Sequence, residues 1–185
     1  GVLDGRMGEL PLDFSNCDFS NVDFSSMQFF SVDFSNSTFT NADLSDSNFI
    51  GGDFHNSNFE GANFNGAYIY NFQFSMAKLT SANFDFAHIT DSSFDGVSFV
   101  GASFTNTTFN SIFGSSSDFT GVDLSSTSRW ESVGFHNLTA CPAALPDEWV
   151  CQDKILLGPN ANLRNFDLSN LDLSGVNLTG ATLSG

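Results

Sequence analysis

The chain has 185 residues, a length that suits one domain, and carries 21 acidic residues against 5 Lys and Arg, for a formal net charge of -16. That balance disfavours nucleic-acid phosphates and anionic lipid surfaces as partners and leaves a basic protein as a fitting one. No run of about 20 apolar residues occurs, so direct membrane insertion through a helix is not expected.

Gly1 to Pro11 precedes any repeat; it opens on Gly rather than Met and shows no secretory leader, the pattern of a processed or trimmed form. Val2, Leu3, Met7 and Leu10 are expected to cap the apolar end of the repeat stack. From residue 12 to 126 a bulky apolar residue returns every fifth position, from Phe14 to Leu124. Of 23 such centres, 17 are Phe, three Leu and two Ile, with Gly114 the one gap. Five residues turn an α-helix by roughly 500°, which leaves no buried stripe. A strand accommodates the period: in Leu12-Asp13-Phe14 the first and third side chains point inward and the second outward, and Ser15-Asn16 supplies a corner. The first inward site is mostly small, as at Ala42, Ser47, Gly52, Ser57, Ala62 and Ala67, so large and small residues alternate to fill a narrow interior. One unit cannot bury its Phe alone; stacked units can.

Units such as Ala62-Asn63-Phe64-Asn65-Gly66 and Val122-Asp123-Leu124-Ser125-Ser126 resemble the A-(D/N)-(L/F)-x-x motif of pentapeptide-repeat proteins. The resemblance covers about three quarters of the chain. It implies an all-β fold: a right-handed, four-sided parallel β-helix with four units per coil. Residues 20 apart then stack at about 4.8 Å. The columns read Phe14-Phe34-Phe54-Phe74-Phe94; Phe19-Phe39-Phe59-Leu79-Phe99-Phe119; Phe24-Leu44-Phe64-Phe84-Phe104-Leu124; and Phe29-Phe49-Ile69-Ile89-Phe109.

Departures from the pattern carry the functional signal. On the wall bearing Phe29, Phe49 and Ile69, the outward residue after each centre is Phe30, Ile50 and then Tyr70, with Tyr68 beside Tyr70 and His88 one coil further. Outward positions elsewhere are mostly Ser, Thr, Asn or Asp, so this stripe is a candidate partner-binding surface, or a face covered by an arm of the same chain. Phe72 occupies a small-residue site and is expected to be compensated by Gly52 and Ser92 on the adjacent coils. Met76 and Phe86 stand at corners. Around Ile112-Phe113-Gly114 a local bulge or distorted corner is expected, with Ile112 or Phe113 filling the empty centre from the neighbouring position.

Residues 127–160 lose the period and read as an insertion containing a hairpin, Trp149-Val150-Cys151 turning at Gln152-Asp153 into Ile155-Leu156-Leu157. Leu145-Pro146 with Trp149, then Leu156-Leu157-Gly158-Pro159, is similar to a hairpin element of some bacterial and cyanobacterial repeat proteins. Residues 161–185 resume the period as a final coil centred on Leu163, Leu168, Leu173, Leu178 and Leu183. Cys17 falls at a small inward site and is expected to be a buried thiol. Cys141 and Cys151 flank a proline-rich loop and are candidates for a disulfide; such a bond implies an oxidising compartment.

No catalytic constellation is recognisable: there is no G-x-S-x-G, and His55, His88 and His136 lack metal spacing. Asp13, Asp33 and Asp53 would form a ladder open to calcium, but aspartates at corners more simply bond the turn backbone. No cofactor or metal is expected. The resemblance implies a non-enzymatic scaffold or accessory subunit that docks to a larger assembly. A photosynthetic membrane-protein complex on the thylakoid lumen side is preferred, with periplasmic and extracellular settings the alternatives. A further alternative is an acidic DNA mimic that inhibits a type II topoisomerase, as some proteins of this kind do.

Overall fold

The computed structural model describes residues 1–4 and 12–184. Its strands are β1 (Val2–Asp4), β2 (Leu12–Asp13), β3 (Gln28–Asp33), β4 (Asn48–Asp53), β5 (Tyr68–Gln73), β6 (His88–Thr90), β7 (Thr108–Asn110), β8 (Phe113–Ser115), β9 (Arg129–Glu131), β10 (Gly134–His136), β11 (Val150–Gln152) and β12 (Ile155–Leu157). The main sheet runs β1-β3-β4-β5-β6-β7-β9, every pair parallel, with β2 also on β3. It forms one wall of a parallel β-solenoid. The other walls are ladders of single bridges 20 residues apart, such as Asp18 to Thr38 to Asn58 to Lys78 and Asp23 to Asp43 to Asn63 to Asn83.

The corners follow from the polar pair in each unit. A β-turn closes the coil, as where the Ala42 N–H donates to the Phe39 carbonyl at 3.0 Å. The residue two after nearly every centre is left-handed: Asn21 at φ 60°, Asn41 at φ 55°, Gly61 at φ 69°. Asn, Asp, Ser and Gly recur there because they tolerate that region best. Between the wall of Phe29 and the next, β3, β4 and β5 instead run through the corner as six-residue strands.

Inside, the rings pile in columns. Phe29 lies on Phe49 at 4.6 Å and 4°, Phe64 on Phe84 at 4.7 Å and 5°, and Phe34 on Phe54 at 5.5 Å and 19°. Rings of adjacent columns meet edge to face, as Phe54 and Phe59 do at 4.8 Å and 80°. Both geometries suit the aromatic quadrupole. The serine and threonine side chains of the small inward site turn their hydroxyls onto carbonyls of the preceding coil: Ser37 to Phe14, Ser47 to Phe24 and Ser57 to Phe34 at 2.8 Å each, and Thr107 to Phe84 at 2.7 Å. A buried hydroxyl is thereby satisfied. Phe72 fits because Gly52 has no side chain: a Cβ there would lie 2.5 Å from the Phe72 Cζ.

At the N-terminal end β1 adds a rung to β3, in register Val2 to Gln28. Met7 and Leu10 of the expected cap lie outside the described residues. Phe14, Phe19 and Phe24 are half-buried, and so is Cys17, whose thiol was expected inside. At residue 127 the period is lost but the coil is not. Trp130 pairs with Phe109, Phe135 with Gly114, Ala140 with Asp118 and Ala144 with Asp123, all parallel. One residue more than a regular coil separates Phe109 from Trp130, which shifts the phase and hides the rung from a fixed five-residue count. Phe135 takes the space Gly114 leaves empty: a Cβ on Gly114 would sit 2.7 Å from its ring. Ile112 is buried as well, while Phe113 faces solvent.

After this coil, β11 and β12 pair antiparallel, and Cys141 is bonded to Cys151 with a Cα separation of 6.1 Å. Trp149 meets Trp130 edge to face at 4.6 Å and lies against Gly158, where a Cβ would overlap the indole. That contact explains why a glycine follows this hairpin.

Candidate functional site

The interior offers little to a ligand. The space among Phe94, Phe104, Phe119 and Phe135 is about 10 Å³, at the lower limit of what one water needs, and its lining is wholly apolar. The candidate residues read from the sequence lie on the outside of the walls.

Many of the outward carboxylates are occupied by their own corners. Asp13, Asp33 and Asp53 each accept the N–H two residues on, from Ser15 at 2.9 Å, Ser35 at 2.8 Å and His55 at 2.6 Å. The same turn recurs at Asp18, Asp23, Asp123, Asp167 and Asp172. The serine hydroxyl first, and the backbone N–H second, hold the carboxyls of Asp13, Asp18, Asp23, Asp123, Asp167 and Asp172 below the usual aspartate value. Among the described residues no three His, Cys, Asp or Glu side chains gather as a metal site.

The stripe read from the sequence is in register. Phe30, Ile50, Tyr70 and Thr90 are successive partners across β3, β4, β5 and β6, and Asn48, Tyr68 and His88 form the companion row. Its exposure is uneven. Tyr68 and Tyr70 are 44% and 39% accessible, His88 is exposed and Ile50 is half-buried. Phe30 is only 8% accessible, which corrects its place on an open surface. It lies between the β1 rung, where Asp4 is its partner, and Ile50, so the wall packs around it. The open surface thus centres on β5.

A further member belongs to this edge. Phe86 is 55% accessible and sits at the corner two residues before His88, in left-handed backbone at φ 62°. The same corner on other coils carries Ser26, Asp46, Gly66 and Asn106. The sequence signal was a bulky residue at a corner; what it lacked was the wall to which that corner belongs. Met76, also left-handed at φ 62°, leads a different wall and lies across Gly96.

A second surface feature went unread in the sequence. Where the shifted coil meets the last one, Phe113, His136, Arg164 and Phe166 line an open cleft of about 310 Å³, with His136 and Phe166 at 4.3 Å. It depends on the phase shift and has no periodic signature.

A family profile of pentapeptide repeats matches the chain in eight copies, over residues 12–36, 28–66, 57–96, 73–110 and 159–185. No curated protein matches the chain. Among solved structures, the chain is similar to QnrB1, a plasmid-mediated fluoroquinolone resistance protein, at 20% identity and a TM-score of 0.54, covering 100% of this chain and 94% of that one. At that identity the likeness is one of fold. A pentapeptide repeat protein from the Arabidopsis thaliana thylakoid lumen aligns at 24% identity and TM-score 0.40, over 50% of this chain and 65% of its own. HetL, a pentapeptide repeat protein involved in heterocyst differentiation regulation from the cyanobacterium Nostoc sp. strain PCC 7120, aligns at 15% identity and TM-score 0.32, over 99% and 85%.

Proposed function

The chain belongs to the pentapeptide-repeat family, and on that premise we propose that it is a non-enzymatic protein-binding module, an accessory or scaffold subunit that docks onto a larger assembly through the β5 wall. The observation that carries this reading is the cluster of exposed Tyr68, Tyr70 and His88 across two adjacent rows, where the other walls present mostly small polar side chains. A rigid wall holds such side chains at low entropic cost, and tyrosine is enriched where proteins meet. The Cys141–Cys151 bond favours an oxidising compartment. The lumen side of a photosynthetic complex is the assembly this reading prefers.

The test is binding to inside-out thylakoid vesicles, which expose lumenal surfaces. Wild-type protein should sediment with them, and a Tyr68→Ser/Tyr70→Ser variant should stay in solution. Equal sedimentation of the two removes the reading. Phe30→Ser is unsuitable as a probe because Phe30 is part of the packing.

A second reading, an acidic rod that takes the place of DNA on a type II topoisomerase, is favoured by the net charge of -16. Unchanged gyrase supercoiling in the presence of excess protein excludes it.

A further inference from the structure

We propose that the slot between Tyr68 and Tyr70 receives the guanidinium of an arginine on the partner protein. This rests on the reading that the β5 wall docks a protein, and it names the chemistry of what docks.

Spacing comes first. Tyr68 and Tyr70 are two apart on one strand, both outward, with buried Ile69 between them. Residues so placed are roughly 6.6 Å apart along the strand. Two ring-to-plane contacts of about 3.5 Å add to nearly that distance, which is the room one flat group needs between two rings. A guanidinium is flat and stacks on aromatic faces; an ammonium is compact and more strongly hydrated.

Charge points the same way. None of the ten outward positions on this wall from 28 to 110 is Lys or Arg. The next rung has Arg129, which is already ion-paired with Glu131. The Asp46 carboxylate leans over Gly66, two residues before Tyr68: a Cβ on Gly66 would be 2.5 Å from its Oδ1. The slot therefore opens on a surface that attracts cations and supplies none. Phe86 supplies an apolar edge. Holding a bulky residue at φ 62° is unfavourable for the backbone, and its ring is exposed rather than buried in return. It stands at the corner leading to His88, the strand partner of Tyr68, so it adds exposed aromatic surface to the edge of the same wall.

The chain holds only two tyrosines. Ring-labelled tyrosine in the full-length protein therefore reports on this slot alone by NMR. The probes are blocked Gly-Arg-Gly, Gly-Lys-Gly, Gly-citrulline-Gly and Gly-Glu-Gly peptides. The arginine peptide should move both tyrosine signals along one binding curve, at least about threefold tighter than the lysine peptide. The neutral citrulline peptide should bind more weakly than the arginine one, and the glutamate peptide should leave the signals in place. Tyr70→Phe should keep the Tyr68 response, and Tyr70→Ser should abolish it. Equal affinity for arginine and lysine peptides, or a Tyr68 response that survives Tyr70→Ser, overturns the proposal. Vesicle docking that needs both tyrosines while no arginine peptide binds defeats this inference and leaves the docking reading standing; docking indifferent to the tyrosines defeats both.

Discussion

Gly52 and Phe72 test the packing of the solenoid most directly. Phe72 is a large residue at a site that is small on neighbouring coils, fully buried, 4.6 Å from Phe54 and 5.6 Å from Phe49. It is accommodated because Gly52 is bare. In Gly52→Ala the new methyl would stand 2.5 Å from the Phe72 ring and 2.5 Å from the Val32 carbonyl. Overpacking of this kind costs about 1–3 kcal/mol. Phe72→Ala alone leaves a void and costs about 3–5 kcal/mol. In the double variant the ring is gone, so one of the two clashes disappears while the Val32 contact remains. The double variant should therefore be less destabilised than the sum of the singles, with a coupling of about 1–2 kcal/mol. Guanidinium denaturation of all four proteins, followed by circular dichroism with the disulfide intact, measures it. Additivity within about 0.5 kcal/mol would refute the idea that glycine and phenylalanine share one volume.

Three other outcomes are expected of the same structure. Phe64 is fully buried and stacked on Phe84, so Phe64→Ala should cost about 3–5 kcal/mol, whereas Phe64→Leu, which copies Leu44 one coil away, should cost less than half of that in the same denaturation assay. Reducing Cys141–Cys151, or replacing both residues by serine, should lower stability by about 2–3 kcal/mol for so short a loop, and intact mass before and after reductant should differ by two hydrogens. The carboxyls of Asp13, Asp18, Asp23, Asp123, Asp167 and Asp172 are held below their ordinary value in the folded chain. The unfolded chain binds protons first, so their contribution is fully present above the unfolded value of about 3.9 and is lost as pH falls through the lower folded values. Denaturation midpoints should be level near neutrality and drop below about pH 4; a midpoint that rises on acidification would contradict the sign.

The exposed aromatic wall was half legible in the chain. A period of 20 predicts that residues 30, 50 and 70 align, and they do. Period alone does not predict exposure, because an outward side chain can still be packed by its neighbours. Phe30 faces the same way as Tyr70, yet it is buried between a β1 rung and Ile50. Phe86 was legible as a misfit, but its membership of the wall depends on where the corner leads.

What the linear order of residues determined by itself is the solenoid: a bulky centre every fifth residue admits strands but no helix, and it names which rings stack on which. That information is local and periodic, so it survives without coordinates. Three things were decided only in space. Trp130 and Phe135 rejoin the columns one residue out of phase, because backbone hydrogen bonding between coils tolerates a slip that a fixed count does not. Trp149 finds Gly158 and Trp130, a contact between segments with no shared period. The open aromatic surface narrows to β5, since accessibility is a property of all the atoms around a side chain and is not contained in its position along the chain.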